Sequence, residues 1–318
     1  MILSIILFII GFIILIKGAD WLVDGSSSIA KKYNISDLVI GLTIVSFGTS
    51  APELVINILA SFSGSSEIAI GNVLGSNIAN IFLILGISAL VGNLPLKKST
   101  VFSEIPFTLI AVFLVGFLAN THLFTSESGL QISRYEGVIL LIFFLLFMGY
   151  IYTLSKDDKD IFEEIESPLT LGKSTLFVIV GILAMFFGGK WVVDGAIEFV
   201  TFYGFSESFM GLTIISLGTS LPELATSLTA AKKGNSDIAV GNIVGSNIFN
   251  LLWILGVSAT IRNLPFPEIS NIDIVVTGFA SVVLLISMTY GKKYSIGKLD
   301  GVLYILIYII YIFVIYQR

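Results

Sequence analysis

The stretch 41-GLTIVSFGTSAPE-53 joins an apolar run to a cluster of polar residues. Its first half is compatible with lipid, whereas its second half holds a glycine, several hydroxyl side chains, a proline and a glutamate. The stretch recurs as 211-GLTIISLGTSLPE-223, at an offset of 170 residues. The chain therefore contains two proline-broken apolar segments, each of which ends on a carboxylate.

The composition indicates an integral membrane protein. Of 318 residues, 55% are hydrophobic and 12% are charged, and the mean hydropathy is +0.98, whereas soluble chains carry about 25% charged residues. Apolar runs long enough to cross a hydrocarbon core of roughly 30 Å recur without the alternation of a barrel, which favours helices. The absence of cysteine excludes disulfides, thiolate metal sites and cysteine nucleophiles. The first apolar run lacks a basic leader, and we expect it to be a retained helix.

We predict an all-α fold of ten transmembrane helices. The predicted spans are 2–30, 37–62, 67–91, 100–119, 135–153, 170–200, 207–231, 237–260, 272–290 and 298–316. Lysines concentrate in the loops after odd-numbered spans, at positions 31, 32, 97, 98, 156, 159, 232, 233, 292, 293 and 298, with Lys173 at the edge. The opposite side has only Arg134, Arg262 and Arg318. The positive-inside rule then predicts that the lysine side is cytoplasmic and that both termini are extracytoplasmic in the cell membrane.

The repeat extends well beyond the opening stretch. The segment 71-GNVLGSNIANIF-82 matches 241-GNIVGSNIFNLL-252, and 93-NLP-95 matches 263-NLP-265, at the same offset. We divide the chain into a first five-helix repeat at 1–154, a short cytoplasmic linker at 155–169 and a second repeat at 170–318. Because five is an odd number, the second repeat must enter the membrane inverted, as in secondary transporters whose substrate sites lie where the repeats meet. The charged linker is read as solvated rather than as a calcium sensor.

The prolines in the repeated stretch interrupt helical hydrogen bonding. Pro52 has no amide hydrogen, so a carbonyl near Gly48 loses its helical partner, and Pro222 acts in the same way in the second repeat. Such a break is tolerated at membrane depth only where it faces protein, water or a cation. We expect the freed carbonyls to be oxygen donors in a cavity.

Further oxygen donors surround each break. On the following helix Asn72, Ser76 and Asn80 recur every four residues, and Asn242, Ser246 and Asn250 repeat this stripe. A GxxxG pair in each repeat, Gly71 with Gly75 and Gly241 with Gly245, favours close approach of this helix to a neighbour. Asn77 and Asn247 point away from the stripe, and their role as interhelical hydrogen-bond partners or as part of the site stays open.

The predicted ligand set suits hard cations. It consists of carboxylate, amide, hydroxyl and carbonyl oxygens, and the only histidine, His122, falls in a loop. Ca²⁺ and Na⁺ fit these ligands, whereas zinc and copper do not. Glu53 and Glu223 are the decisive residues, because an ionisable group at membrane depth usually marks an ion or proton path.

At these residues the sequence resembles the Na⁺/Ca²⁺ exchangers of the cation/Ca²⁺ exchanger superfamily. Members carry GTSxPE followed by a GNxxGSxxxN/D helix in each of two alpha repeats, here at about 36–90 and 206–260. The likeness covers the whole ten-span chain, and GTSAPE is similar to the sodium-using branch. The resemblance implies a prokaryotic ten-helix exchanger that needs no cofactor, transports Ca²⁺ and Na⁺, and has the lipid bilayer but no nucleic acid or obligate protein as partner.

The resemblance also implies which residues bind the ions. The central Ca²⁺ would take carboxylate oxygens from Glu53 and Glu223 and backbone oxygens from Thr49 and Thr219. The two flanking Na⁺ sites would use Ser50, Ser76 and the carbonyl of Ser216 on one side, and Ser220, Ser246 and the carbonyl of Ser46 on the other. Asn80 and Asn250 would complete the middle. Many sodium-coupled members have aspartate at the position of Asn250, so this chain has two mid-membrane carboxylates where they have three, and its ion stoichiometry stays open.

The expected function is secondary active antiport that exports Ca²⁺ against inward Na⁺ by alternating access. A proton-coupled Ca²⁺ antiporter remains the nearest alternative, because either glutamate could exchange a proton for the metal. A passive channel shares oxygen-lined pores, but the inverted repeat is more typical of alternating access. An intramembrane protease lacks both a histidine base and a pair of mid-membrane aspartates, so we expect no enzyme. Oxygen ligands also accept other divalent ions such as Mn²⁺.

Overall fold

The computed structural model describes residues 2–98, 100–121, 129–157, 169–202, 216–290 and 294–317. His122 and most of the predicted linker lie outside these residues, so the boundaries between the repeats stay a prediction. The helices are α1 (Ile2–Tyr33), α2 (Asp37–Thr49 and Ala51–Ser63), α3 (Ser66–Val91), α4 (Thr100–Ala119), α5 (Arg134–Asp157), α6 (Leu171–Phe202), α7 (Ser216–Thr219 and Leu221–Lys232), α8 (Ser236–Ile261), α9 (Ser270–Thr289) and α10 (Lys298–Tyr316).

These helices confirm the predicted membrane architecture. Within the described residues, eight helices are long and apolar enough to span a membrane, and α2 adds a ninth span that is bent by 48° at its break. The remaining predicted span, the seventh along the chain at 207–231, is described from Ser216 onward as α7. The fold is an all-α membrane protein of ten transmembrane helices in two inverted five-helix repeats.

Two short β-ribbons show the inversion directly. Leu94–Pro95 (β1, after α3) pairs antiparallel with Ser295–Ile296 (β4, after α9), and Gln131–Ile132 (β2, after α4) pairs with Leu264–Pro265 (β3, after α8). Because α4 separates β1 from β2 along the chain, the two ribbons lie at opposite ends of this helix. The two equivalent NLP segments therefore occupy opposite faces of the molecule.

The lysine-bearing loops meet at one of these faces. Lys233 Nζ, after α7, lies 2.8 Å from Asp24 Oδ1 and 3.3 Å from Asp20 Oδ1, both in the second half of α1. Lys97, after α3, lies 3.9 Å from Asp237 at the start of α8. Lys233 therefore pairs with Asp24, while Lys17 lies 3.8 Å from Asp20.

Glycines allow α1 and α6 to pack in close antiparallel contact. Gly11 opposes Gly188, and Gly18 opposes Gly181, so that a Cβ atom on Gly18 would lie 2.8 Å from the Gly181 carbonyl oxygen. Small residues of this kind are what let transmembrane backbones approach each other. The outer faces of most spans are apolar and exposed, as expected for helices in contact with lipid.

The centre of the molecule is formed by α3 and α8. In their most apolar stretches, 78% of α3 residues and 94% of α8 residues are buried, compared with 44% or less in the other unbroken spans of the described chain. The predicted close approach of the second GxxxG is confirmed, since a Cβ atom on Gly245 would lie 2.7 Å from Ser46 Oγ in α2. For the first GxxxG, nothing in the described chain lies within 4 Å of a Cβ atom on Gly71. Both polar stripes therefore run through the core beside the broken helices.

Candidate ion-binding site

The helix break has the same geometry in both repeats. Ser50 joins the two segments of α2 with φ −83° and ψ 8°, and Ser220 joins those of α7 with φ −86° and ψ 6°. These values fall in the sparsely populated bridge region. Pro52 and Pro222 lie in the first turn of the segment that follows, where a missing amide hydrogen costs little. Each break therefore places a glutamate in the first turn of a new helix, deep in the protein.

The two glutamates are fully buried and are held by serines of the opposite repeat. Ser50 Oγ donates a 2.8 Å hydrogen bond to Glu223 Oε1, and Ser220 Oγ donates a 3.3 Å bond to Glu53 Oε1. Ser246 Oγ also donates to Glu223 Oε1, at 3.3 Å. All of these side chains are at most 2% exposed. The carboxylates thus face each other across the junction of the repeats.

A second set of hydrogen bonds locks each break to the polar stripe of the other repeat. Thr49 Oγ1 donates to Asn242 Oδ1 at 3.0 Å, and Thr219 Oγ1 donates to Asn72 Oδ1 at 3.2 Å. The threonine hydroxyls are therefore engaged by protein partners. This arrangement is compatible with the implied use of their backbone oxygens, rather than their side chains, as ligands.

Two residues of this frame are absent from the set that the sequence predicts. Asn57 Oδ1 accepts a 2.7 Å hydrogen bond from Asn72 Nδ2, and Ser227 Oγ accepts a 3.0 Å bond from Asn242 Nδ2. They occupy equivalent positions in the two repeats, but one is an amide and the other a hydroxyl, so the 170-residue match does not mark them. Both are polar residues one helical turn after the glutamate, and that spacing could have identified them.

The remaining predicted ligands converge on the same interior. Asn80 is the first residue of a π-helical turn at Asn80–Leu85, and Asn250 is the second residue of one at Phe249–Ile254. Such turns often occur at functional sites. Ser46 is buried and donates to the Thr43 carbonyl oxygen. Ser216 begins the first described segment of α7, but its side chain is outside the described part of the chain.

Several buried oxygens of this set have no hydrogen-bond partner within the described residues. They are Glu53 Oε2, Glu223 Oε2, Ser76 Oγ, Asn80 Oδ1 and Asn250 Oδ1. A buried polar atom without a partner costs free energy, and for a carboxylate the cost is larger. Hard cations take such oxygens as ligands. The arrangement can therefore bind a desolvated cation between the two repeats.

One detail differs from the grouping that the resemblance implies. Ser50 and Ser246 share Glu223 Oε1, whereas the resemblance places Ser50 with Ser76 and places Ser246 with Ser220. Ser76 Oγ makes no hydrogen bond within the described chain. The twelve predicted residues nevertheless lie on the four helices α2, α3, α7 and α8 that meet at the centre.

Ten helices in inverted repeats around a buried carboxylate pair define a membrane transporter of the secondary type. The family model for "Sodium/calcium exchanger protein" matches residues 3–153 and 173–317. The chain belongs to the sodium/calcium exchanger family.

Relatives of this family match along the full length of the chain. It is 37% identical to the putative antiporter CaxA of Alkalimonas amylolytica, with 100% of both chains covered. It is 31% identical to the sodium/calcium exchanger MaX1 of Methanosarcina acetivorans, with 98% of both chains covered. The structure of the sodium-calcium exchanger NCX_Mj, soaked with Na⁺ and Ca²⁺, has a TM-score of 0.82 at 33% identity and covers 98% of this chain and 97% of its own.

Proposed function

We propose that this protein is a Na⁺/Ca²⁺ antiporter that exports Ca²⁺ in exchange for inward Na⁺ by alternating access. The observation that carries the proposal is the pair Glu53 and Glu223, each fully buried and each hydrogen-bonded to a serine of the other repeat. Two carboxylates balance the charge of one Ca²⁺ or of two Na⁺. The same oxygens can therefore serve either ion, but not both at once.

This sharing explains obligatory exchange. Two bare carboxylates in a closed, poorly solvated chamber are costly, so the empty protein should resist reorientation. A cation between them removes that cost and permits the switch. Each ion must then leave before the other binds, which couples the two fluxes.

We propose the full set of twelve ligands as the ion path, with Glu53 and Glu223 at its centre. The other members are Thr49, Thr219, Ser50, Ser220, Ser46, Ser216, Ser76, Ser246, Asn80 and Asn250. The oxygen chemistry of all twelve residues is that of hard-cation sites, and five buried oxygens of the twelve, including one from each glutamate, have no protein partner in the described chain. We also propose that the lysine-rich loops face the cytoplasm, with both termini on the opposite side.

Neutralising the glutamates tests the proposal. Glu53→Gln and Glu223→Gln keep the size of the side chain and remove its charge, so each should abolish Na⁺-dependent Ca²⁺ uptake into proteoliposomes. Ser63→Ala, at an exposed position on the same helix as Glu53, is the matched control and should transport normally. Normal transport by either glutamine variant would show that the carboxylates do not carry the ions.

A further inference from the structure

Four buried asparagines lie where α3 and α8 cross the centre of the protein. Asn77 and Asn80 belong to α3, and Asn247 and Asn250 are their equivalents in α8. All four are at most 1% exposed. Each half of this asparagine quartet therefore offers the same groups to the other half.

Only one of the two possible amide pairs is formed. Asn80 Nδ2 donates a 2.9 Å hydrogen bond to Asn247 Oδ1, and Asn247 Nδ2 donates a 3.4 Å bond to the Asn77 carbonyl oxygen. In the equivalent pair, all side-chain polar atoms of Asn77 and of Asn250 are buried without a hydrogen-bond partner in the described chain. The quartet is symmetric in sequence but asymmetric in bonding.

The equivalent serines of the two repeats also differ in their hydrogen bonds. Ser246 donates to Glu223, whereas Ser76, which is its equivalent, makes no hydrogen bond within the described residues. By contrast, the bonds of the surrounding frame are present in both repeats: Thr49 binds Asn242 as Thr219 binds Asn72, and Asn57 binds the Ala69 carbonyl as Ser227 binds the Ala239 carbonyl. Among these equivalent groups, the asymmetry lies at the buried side chains of Asn77, Asn250 and Ser76.

In an alternating-access protein, bonds that only one repeat makes can differ between the two states of the transport cycle. The inference from this contrast rests on the proposed function. The two repeats are related by a pseudo-two-fold axis in the membrane plane, so the conformation of one repeat in one state is available to the other repeat in the opposite state. Bonds found in both repeats can persist through the cycle. Bonds found in only one repeat are those that the cycle exchanges.

We propose that Asn247 and Asn77 are positioning residues that act in alternation. In the arrangement described here, Asn247 holds the amide nitrogen of Asn80. In the oppositely facing arrangement, Asn77 holds the amide nitrogen of Asn250, and the first pair is broken. When the amide nitrogen of Asn80 or Asn250 is bound in this way, the amide oxygen of the same side chain points away from the partner asparagine and can bind the cation.

Alanine substitutions of Asn247 and Asn77 should therefore shift the equilibrium between the two states in opposite directions. Asn247→Ala removes the 2.9 Å bond from Asn80, together with the longer 3.4 Å bond to the Asn77 carbonyl, and should shift the equilibrium toward the opposite state. Asn77→Ala should shift it toward the present state. One neutral hydrogen bond shifts a two-state equilibrium by about fivefold. Because apparent affinity scales with the fraction of competent protein, the half-saturating Ca²⁺ concentrations on the two faces should change in opposite senses.

The test measures half-saturating Ca²⁺ in right-side-out and in inside-out membrane vesicles and takes the ratio of the two values. The ratio should move about fivefold in one direction for Asn247→Ala and in the other for Asn77→Ala. Asn247→Ser keeps an oxygen acceptor, so it should return the ratio toward that of the unaltered chain, and it replaces the alanine variant if that one does not fold. Asn120→Ala removes a similar interhelical amide pair, with Asn271, away from the chamber and should leave the ratio unchanged.

The outcomes separate this inference from the proposed function. Shifts in the same direction, or an unchanged ratio in both variants alongside normal Na⁺-driven uptake, would overturn the alternation and leave the exchange intact. Opposite shifts with uptake that does not depend on Na⁺ would support the alternation and overturn the sodium coupling. If the unaltered chain shows no saturable Ca²⁺ uptake from either face, both proposals fail.

Discussion

Ser50 of the first repeat donates a 2.8 Å hydrogen bond to Glu223 of the second, and both side chains are fully buried. Ser50, at the break of α2, therefore orients the carboxylate of Glu223 at the break of α7. The reciprocal bond, from Ser220 to Glu53, is longer at 3.3 Å. Neither glutamate can move without affecting the break in the opposite repeat, which links ion binding to the relative position of the two halves.

Removing these serines should weaken Ca²⁺ binding unequally. Ser50→Ala should raise the half-saturating Ca²⁺ concentration by about tenfold, since a hydrogen bond to a charged group contributes about 1.5 kcal/mol or more. Ser220→Ala should have a smaller effect, because its bond is longer. Uptake curves for the two variants and for Ser63→Ala provide the comparison. Equal and negligible effects of both substitutions would contradict the cross-repeat arrangement.

A third carboxylate should change ion affinity. Asn250→Asp adds a charge to a chamber in which the structure shows two carboxylates, and ligand charge is one of the factors that tune Ca²⁺ affinity. We expect the half-saturating Ca²⁺ concentration to fall by about tenfold and turnover to slow, because the ion leaves less readily. Measured together, uptake rates and the charge moved per Ca²⁺ would also address stoichiometry. An affinity that does not change would place Asn250 outside the ion path.

The contact between α1 and α6 should not tolerate a larger side chain. Gly18→Leu would drive its Cβ atom to 2.8 Å from the Gly181 carbonyl oxygen, and overpacking of this kind costs about 1–3 kcal/mol. Thermal unfolding in detergent should therefore begin at a lower temperature. Gly149→Leu, in α5, is the control, because nothing within the described chain lies within 4 Å of a Cβ atom there. Equal stability of the two variants would show that the α1–α6 contact is not tightly packed.

The proposed orientation can be tested without removing native thiols, since the chain has no cysteine. Tyr135 is 86% exposed at the start of α5, and Leu299 is 87% exposed at the start of α10, on the opposite face. A membrane-impermeant maleimide applied to intact cells should label Tyr135→Cys and not Leu299→Cys. The reverse pattern would place the lysine-rich loops outside.

Much of this fold could be predicted from the sequence because the repeat supplies two independent copies of each signal. Nine of the predicted spans match helices of the structure to within a few residues at most of their ends, since apolar length decides where a membrane helix begins and ends. The remaining span, the seventh at 207–231, could be compared only from Ser216 onward. Glu53 and Glu223 were identifiable because few roles other than ion handling explain a carboxylate at membrane depth.

The contacts of the site could not be predicted in the same way. That Ser50 meets Glu223, rather than the glutamate of its own repeat, depends on how the two halves dock. The roles of Asn57 and Ser227 rest on contacts within their own repeats, with Asn72 and Asn242, and their differing chemistry hides their equivalence. The π-helical turns at Asn80 and Asn250 have no signature in the spacing of apolar residues.

The most direct test of the central claim is radiolabelled Ca²⁺ uptake into proteoliposomes loaded with Na⁺, compared at equal pH with vesicles loaded with K⁺ and with vesicles that carry only a proton gradient. Na⁺/Ca²⁺ exchange predicts rapid uptake in the Na⁺-loaded vesicles alone, with loss of that uptake in Glu53→Gln. Uptake driven by the proton gradient without Na⁺ would contradict sodium coupling and would make Glu53 and Glu223 proton carriers.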